Sequence, residues 1–389
     1  MRITDVQAYV LQGKTQYENP VGAEEAPGVY QCCLIRVQTD DGLVGWSDVE
    51  TQPSIAKACI DAPASAEGNI GMFEGLRALC LGEDPFETER LWEKLYQGSI
   101  YYGRRGAAIQ ALSGIDIACW DIMGKATQRP VWKLLGGAYR RRVRAYASTL
   151  FRATPDDMRK ACAGYLKHGF TAIKFGWGVF GRDKKLDEAL VRAARQEIGP
   201  DVALLVDPGW LVKRSAFDAL ETARMLAQHG VFWMEDFMHP EDYTGYARVA
   251  EGIEHSGLGV RVAAGEQEAT ADGFRRLIGE GRIHVAQPDI SRCGGLTVAR
   301  KIAWMVREHS IDLCPHAWLT DLLTAASLHV NATLPRSLFL EYNVSSNPML
   351  REVIANPVKL NPDGTIDVPE APGLGIEVSE QAVKKFRVA

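Results

Sequence analysis

Three stretches, VDPGW (206–210), WMEDF (233–237) and AAGEQE (263–268), decide the fold of this chain. Each contains a carboxylate that follows a short apolar run, namely Asp207, Glu235 and Glu266. An acidic side chain at the end of a buried strand costs free energy unless it has a partner. Because these carboxylates recur at intervals of 28 and 31 residues, they predict three neighbouring strands that direct oxygen ligands toward one divalent cation.

The same pattern extends in both directions along the chain. From residue 143 onward, short apolar segments alternate with helix-length amphipathic segments, giving eight strands and seven intervening helices. This alternation predicts a (β/α)₈ barrel rather than an open doubly wound sheet. The strands are apolar nearly throughout, as expected for a parallel sheet that is covered on both faces. The predicted strands are 143–148, 171–175, 202–206, 231–234, 260–264, 283–287, 311–314 and 337–341.

A different unit precedes the barrel. Strands are predicted at 2–11, 30–38 and 43–49, the last two joined by an Asp41-Gly42 hairpin turn. The loop 13–28 is rich in Gly, Pro and charge and predicts a lid. Helical patterning covers 52–127, and the segment 107–126 is apolar on nearly every face, which predicts a buried helix. We therefore predict an α+β domain over 1–130, a barrel over 140–345, and a tail, 346–389, that returns to the first domain.

Composition limits the function classes. The chain has 389 residues, 46% hydrophobic residues and a net charge of −5 with a pI near 6.0, so we expect a globular protein that does not bind nucleic acid. No apolar run is long enough to span a membrane. The N-terminal sequence lacks the apolar region of a signal peptide, which predicts a cytoplasmic location. The eight cysteines show no CxxC spacing and are predicted to be reduced and buried.

Ionisable side chains end seven successive strands of the predicted barrel. The carboxyl ends of barrel strands form the active site in this architecture. A single strand-end Asp more often caps a helix than binds a ligand, but the joint pattern favours a site. The strand-end residues are Lys174, Asp207, Glu235, Glu266, Asp289, His316 and Glu341.

With these residues in place, the chain resembles the mandelate racemase subgroup of the enolase superfamily over essentially its whole length. The resemblance implies a modified (β/α)₇β TIM barrel with an α+β capping domain built from the N-terminal region and the tail. It also implies a homo-oligomer. The motifs that carry it are GIDIACWDIMGK (114–125), WMEDFMHPEDY (233–243), AAGEQE (263–268), QPDISRCGG (287–295), PHAW (315–318) and PGLGIE (372–377).

The resemblance also implies a role for each strand-end residue. Asp207, Glu235 and Glu266 match the three Mg²⁺ ligands of the family. His316 and Asp289 match a His–Asp dyad in which the imidazole abstracts the proton α to a carboxylate. Lys174, together with a protonated or hydrogen-bonding Glu341, matches residues that stabilise the resulting enediolate.

Departures from the family pattern bear on the reaction type. The subgroup commonly carries Lys-x-Lys after the second strand, whereas this chain has Lys174-Phe175-Gly176. A racemase needs acid–base groups on both faces of one carbon, so the missing second lysine favours one-face chemistry. The predicted function is a Mg²⁺-dependent sugar-acid dehydratase, a lyase. The alternative is a racemase, epimerase or cycloisomerase of a carboxylate. Asp236-Phe237 also replaces the usual Glu-Pro after the first glutamate of the family's EEP motif.

Two rival interpretations belong to other classes. Residues 176–181, GWGVFG, fit the dinucleotide-binding G-x-G-x-x-G pattern after a strand, which would indicate a dehydrogenase but leaves Glu235 and Glu266 unexplained. A non-catalytic binding protein on the same fold is the other rival. Trp177 is interpreted as a substrate-facing aromatic or a packing residue, and His239 as a histidine that could reach the pocket.

Substrate choice is expected to depend on loop 13–28 and on segment 50–65 over the barrel mouth. Lys14 is the one basic residue of the first loop. No set of Arg or Lys there marks a pocket for a second carboxylate, which favours a mono-acid over a di-acid.

Overall fold

The computed structural model describes residues 1–14, 29–64, 72–210, 215–345 and 349–389. Most of the predicted lid loop, residues 15–28, and the end of segment 50–65 lie outside the described residues. The chain begins with a three-stranded antiparallel sheet in which β2 lies between β1 and β3. This confirms the three predicted strands and the hairpin at Asp41-Gly42, where Gly42 has φ +85°. The strands are β1 (Ile3–Lys14), β2 (Val29–Thr39) and β3 (Val44–Val49).

Five helices follow, and the predicted helix 107–126 is the central one, buried along most of its length. Its close approach to the sheet depends on glycine: a Cβ on Gly45 would lie 2.0 Å from Ala118 O, and one on Gly114 would lie 2.4 Å from Ile35 Cδ1. No helix in the described part of the chain is both long and apolar enough to cross a membrane. The helices are α1 (Pro53–Asp61), α2 (Leu76–Cys80), α3 (Thr88–Gly98), α4 (Ala107–Ala126) and α5 (Val131–Leu134).

Eight parallel strands then form one curled sheet, as predicted. They pair in chain order without the reversal that defines a doubly wound sheet, and the eighth strand pairs back onto the first. This order confirms the barrel architecture and argues against the dehydrogenase interpretation. The strands are β4 (Arg142–Leu150), β5 (Ala172–Gly176), β6 (Ala203–Asp207), β7 (Val231–Glu235), β8 (Arg261–Ala264), β9 (Val285–Ala286), β10 (Asp312–Leu313) and β11 (Leu340–Asn343).

In the described residues, seven helices connect these eight strands, one between each consecutive pair. No helix of comparable length follows β11 before the tail, in agreement with a (β/α)₇β barrel. They are α6 (Pro155–Lys167), α7 (Lys184–Ile198), α8 (Ala216–Gln228), α9 (Tyr243–His255), α10 (Thr270–Gly279), α11 (Gly295–Glu308) and α12 (Asp321–Ala332).

Strands β9 and β10 are shorter than predicted. Each is closely followed by a proline, Pro288 or Pro315, which lacks the N–H needed to continue the ladder. Beyond the prolines, the β-pairing of these two segments in the described residues is limited to an isolated bridge between Asp289 and His316. In the described residues, no backbone ladder joins β10 to β11, and Cys314 Sγ spans this gap by donating to Phe339 O at 3.2 Å.

An aromatic cluster fills the barrel beneath the strand ends. The rings of Tyr146, Trp233 and Phe339 pack edge to face with centroids 5.7–6.1 Å apart. Trp233 Nε1 donates to Glu235 Oε2 at 2.9 Å, and Lys174 Nζ lies 5.5 Å from the centre of the Tyr146 ring. This aromatic cluster therefore packs directly against Glu235 and Lys174, on the side that faces the barrel interior.

The tail contacts both units. It contains α13 (Met349–Glu352), β12 (Thr365–Asp367) and α14 (Glu380–Phe386). Strand β12 pairs antiparallel with the first barrel strand. The chain end instead pairs with β1, where Val10 N donates to Ala389 O at 2.9 Å.

Asp48, in β3, links the first unit to the barrel. Its pKa predicts how the stability of the fold depends on pH. Its Oδ2 accepts from Thr320 N at 2.9 Å and Thr320 Oγ1 at 2.6 Å, and Thr320 is the N-cap of α12. Burial raises the pKa of Asp48 to about 7, so the folded chain retains a proton that the unfolded chain loses near pH 4. Stability contributed by this group is therefore lost as the pH rises from about 4 to about 7.

Asp48→Asn mimics the protonated carboxyl. We expect the decline in unfolding free energy between about pH 4 and about pH 7 to shrink by about 2–4 kcal/mol, measured by urea denaturation in the presence of EDTA. Asp201→Asn, at an exposed carboxyl, is the control and should leave the decline unchanged. An unchanged decline in Asp48→Asn would contradict the assignment.

Candidate active site

All seven strand-end residues are buried, and five of them line one cavity. The cavity has a volume of about 250 Å³ and opens at the carboxyl ends of the barrel strands. Lys174, Asp207, Glu266, His316 and Glu341 line it. Glu235 and Asp289 lie behind this lining, Glu235 bonded to Lys174 and Asp289 bonded to His316.

Lys174 is held between two carboxylates. Its Nζ lies 2.6 Å from Glu235 Oε1 and 2.9 Å from Glu341 Oε1. Burial alone lowers the pKa of Lys174, but Glu235, Glu341 and Asp207 outweigh it and raise that pKa well above its usual value. The side chain is therefore a fixed cation at the cavity wall.

His316 and Asp289 form a hydrogen-bonded pair. His316 Nδ1 lies 2.8 Å from Asp289 Oδ2, and Asp289 Oδ1 accepts from Ser291 N at 2.7 Å and from Ser291 Oγ at 2.6 Å. A carboxylate at Nδ1 fixes the tautomer and leaves Nε2 as the base. Nε2 lies 3.0 Å from Glu266 Oε2. Burial lowers the pKa of His316, but Glu341, Glu266 and the bond to Asp289 raise it well above its usual value, because these carboxylates stabilise the imidazolium.

Glu341 has the partners of an ionised carboxylate. Its Oε1 accepts from Ser148 Oγ at 2.6 Å, and its Oε2 accepts from Ala317 N at 2.7 Å. Burial raises the pKa of Glu341, but Lys174 and His316 outweigh it and lower that pKa to about 2. This geometry favours Glu341 as an acceptor that orients Lys174, rather than as a protonated donor to the substrate.

Asp207, Glu235 and Glu266 end or closely follow three adjacent strands. Burial and the neighbouring charges of Glu235 and Glu266 raise the pKa of Asp207 well above its usual value, and burial also raises the pKa of Glu235. For Glu266, the opposing effects of His316 and Arg292 lower the pKa despite burial. Buried carboxylates that repel one another favour a bound cation, and oxygen ligands suit Mg²⁺. The three residues therefore fit a magnesium ion.

A second acidic group lies on the dyad side of the cavity. In the described ranges, the potential ligand atoms of Glu50, Asp289 and His316 lie within 4.8 Å of one another. Arg292 supplies the counter-charge there: its Nη2 lies 2.9 Å from Glu50 Oε1, and its Nε and Nη1 donate to Glu50 O and Glu266 O at 3.0 and 3.3 Å. This group is better explained as an ion pair beside the dyad than as another metal site.

The sequence interpretation missed Glu50 and Arg292. Both line the cavity, and Glu50 Oε2 lies 3.8 Å from His316 Nδ1. A signal was available, because Glu50 follows the apolar strand β3 just as the three predicted metal ligands follow theirs. Arg292 stands three residues after Asp289, but its partner Glu50 is too distant in the chain for sequence spacing to indicate it.

The structure also locates His239, which was predicted as a histidine that could reach the pocket, and Gly176, where a second lysine is missing. His239 is exposed, its ring packs against Trp210 with centroids 6.0 Å apart, and it is not among the residues that line the cavity. Gly176 lies beneath Asp207, where a Cβ would stand 2.9 Å from Asp207 Oδ2. A side chain at this position would therefore require the Asp207 carboxylate to move, and glycine itself supplies no base there.

Comparison with known proteins matches nearly the whole chain to two family models. Residues 8–136 match the mandelate racemase/muconate lactonizing enzyme N-terminal domain, and residues 157–382 match the enolase C-terminal domain-like family. The chain belongs to the mandelate racemase/muconate lactonizing enzyme family of the enolase superfamily. The resemblance predicted from the sequence motifs is thus confirmed.

Characterised members of this family that resemble the chain include enzymes of two types. D-galactarolactone cycloisomerase of Agrobacterium fabrum is 32% identical, with 91% of each chain covered. Arabinonate dehydratase of Saccharolobus solfataricus is 30% identical over 90% of this chain and 89% of the relative. The relatives are therefore sugar-acid dehydratases and cycloisomerases.

A solved family structure supports the metal assignment at the level of the family. A racemase from Streptomyces coelicolor A3(2) with bound magnesium is 26% identical and superposes with a TM-score of 0.84, covering 99% of this chain and all of that one. Magnesium binding thus fits the family, and the fit of Asp207, Glu235 and Glu266 rests on their own burial and charge.

Proposed function

We propose that this protein is a Mg²⁺-dependent dehydratase that converts a sugar mono-acid into a 2-keto-3-deoxy acid and water. The observation that carries the proposal is the presence of one acid–base group on one side of the cavity. The His316–Asp289 pair provides a base, whereas the strand end at Gly176 carries no side chain that could serve as a second base. Lys174 Nζ is held by Glu235 and Glu341 and supports an electrostatic role rather than that of a base.

The reaction begins with proton abstraction. His316 Nε2 takes the proton from C2 of the substrate, and the C–H electron pair moves into the carboxylate to form an enediolate. The same imidazolium then gives that proton to the C3 hydroxyl, which leaves as water while the enediolate electrons form the C2–C3 double bond. The resulting enol takes up a proton at C3 and becomes the 2-keto-3-deoxy acid. One histidine serves both proton transfers, so the elimination is syn.

The remaining residues stabilise the developing charge. When bound by Asp207, Glu235 and Glu266, Mg²⁺ would supply Lewis-acid stabilisation of the substrate carboxylate. Lys174 presents a fixed positive charge at the cavity wall, oriented by Glu341. A preorganised charge of this kind typically contributes about 10²–10³-fold in rate.

The charges of the cavity favour a mono-acid. Lys174 and Arg292 are the cationic side chains that line it in the described part of the chain. Both are paired with carboxylates of the protein, Lys174 with Glu235 and Glu341 and Arg292 with Glu50. A second substrate carboxylate would lack a free counter-charge among these residues.

Cycloisomerisation of a sugar lactone or anhydro sugar acid is the second candidate. The same base can abstract the α-proton while a ring oxygen, rather than a hydroxyl, leaves from C3. The 32% identity to D-galactarolactone cycloisomerase favours it. The two candidates differ in the mass of the product, because a cycloisomerase releases no water.

A screen of acid sugars with Mg²⁺ tests the proposal. We expect at least one mono-acid to give a 2-keto acid, detected with semicarbazide and identified by mass as the substrate minus one water. EDTA should abolish the reaction and added Mg²⁺ should restore it. Turnover confined to lactones, or an epimerised acid as the sole product, would contradict the dehydratase. Mg²⁺ binding without turnover of any acid or lactone would support a non-catalytic protein instead.

A further inference from the structure

Trp177 is a strained residue at the mouth of the barrel. It follows β5 directly and lines the cavity. Its backbone has φ +52°, in the left-handed region that side-chain-bearing residues seldom adopt. Such a conformation costs free energy and persists where the surrounding contacts determine it, often at functional sites.

Both hydrogen bonds that Trp177 donates lead to Asp207. Trp177 N donates to Asp207 O, and Trp177 Nε1 donates to Asp207 Oδ2, each at 2.9 Å. The indole also covers Gly209, where a Cβ would lie 3.1 Å from its ring. Trp177 therefore donates hydrogen bonds to both the backbone and the carboxylate of Asp207.

Among the described residues, the carboxylate of Asp207 has one donor on each oxygen. Gly209 N donates to Oδ1 at 3.0 Å, and the indole N–H donates to Oδ2. An ionised carboxylate can accept about four hydrogen bonds, so each oxygen keeps a lone pair for a cation. Hydrogen bonds of this kind orient carboxylate ligands in metal sites.

We propose that Trp177 is a positioning residue for the cation site, in which its indole N–H orients the Asp207 carboxylate toward the metal. This explains the strained backbone and gives the GWGVFG stretch a role other than dinucleotide binding. The inference rests on the proposed role of Asp207 as a ligand, and not on which reaction follows. Loss of such an orienting bond typically lowers metal affinity about 10–100-fold.

Trp177→Phe tests the bond because it keeps an aromatic ring and removes the N–H. We expect the affinity of the metal-free protein for Mg²⁺, measured by calorimetric titration without substrate, to fall about 10–100-fold. Trp177→His, which restores a ring N–H, should recover part of the loss. The matched control is Trp210→Phe: Trp210 packs edge to face on Trp177 with centroids 6.4 Å apart, and its Nε1 has no hydrogen-bond partner in the described residues.

The outcomes separate this inference from the proposed function. A change of less than about twofold in Trp177→Phe, or an equal loss in Trp210→Phe, would overturn it while the metal site stands. Failure of the wild-type protein to bind Mg²⁺ would instead overturn the metal assignment itself. If Trp177→Phe does not fold, Trp177→His is compared with Trp177→Leu, which has no side-chain N–H: tighter Mg²⁺ binding by Trp177→His supports the proposal, and equal or weaker binding refutes it.

Discussion

Turnover should fall about 10³-fold or more when His316 is replaced by asparagine, whereas the fold and Mg²⁺ binding should persist. Asparagine can still donate a hydrogen bond to Asp289 Oδ2, which accepts from His316 Nδ1 at 2.8 Å. It offers no base at the position of Nε2. The loss should therefore appear in kcat and in kcat/KM alike.

His309→Asn is the matched control for this prediction. His309 is an exposed imidazole at the end of α11 that contacts Met305 O, and its replacement should leave turnover unchanged. Steady-state kinetics on the acid sugar identified by the screen, with circular dichroism and Mg²⁺ titration of each variant, give the comparison. A His316→Asn enzyme that retains a tenth of wild-type turnover would refute the assigned base.

Lys174→Met should lower both stability and turnover. The substitution leaves Glu235 and Glu341 buried without their shared cation, which typically costs about 3–5 kcal/mol of unfolding free energy. It also removes the fixed charge beside the substrate, which should lower turnover about 10²–10³-fold. Urea denaturation should be measured in EDTA, because a cation bound to Glu235 would offset part of the loss.

Lys160→Met serves as the control for this substitution. Lys160 forms an ion pair with Asp157 in which the two side chains are 79% and 48% exposed, and such pairs contribute about 0–1 kcal/mol. If Lys174→Met were no more destabilised than Lys160→Met, the buried pairs of Lys174 would not hold the site together as inferred.

The barrel could be predicted because its signals are local. Each strand is a short apolar run, and seven of the eight strand ends carry an ionisable residue, so the order of residues along the chain is enough to locate Asp207, Glu235 and His316. Strand length was less predictable where prolines intervene. Pro288 and Pro315 closely follow ladders of two residues each, whereas the predicted strands covered 283–287 and 311–314.

Contacts between distant segments could not be predicted. Glu50 and Arg292 form an ion pair at 2.9 Å, but they belong to different units and no spacing rule connects them. The bond from Trp177 to Asp207 likewise depends on the pairing of β5 with β6. The sequence indicates Trp177 as an aromatic near the pocket, whereas the partner of its N–H is evident only from the tertiary arrangement.

Under the proposed mechanism, the choice between elimination of water and opening of a ring would depend on the substrate rather than on the base. His316, Asp289 and Lys174 suit both reactions, which agrees with the presence of dehydratases and cycloisomerases among the relatives. Racemisation is disfavoured by Gly176, because glycine has no side chain that could serve as a second base at that position.

Turnover of the identified acid sugar in D₂O, followed by mass spectrometry and proton NMR, tests the central claim most directly. The account predicts a 2-keto-3-deoxy acid that has lost one water and carries one deuterium at C3. It also predicts that no C2 epimer of the substrate forms. A product with the mass of the substrate apart from deuterium, or a C2 epimer carrying deuterium at C2, would contradict it.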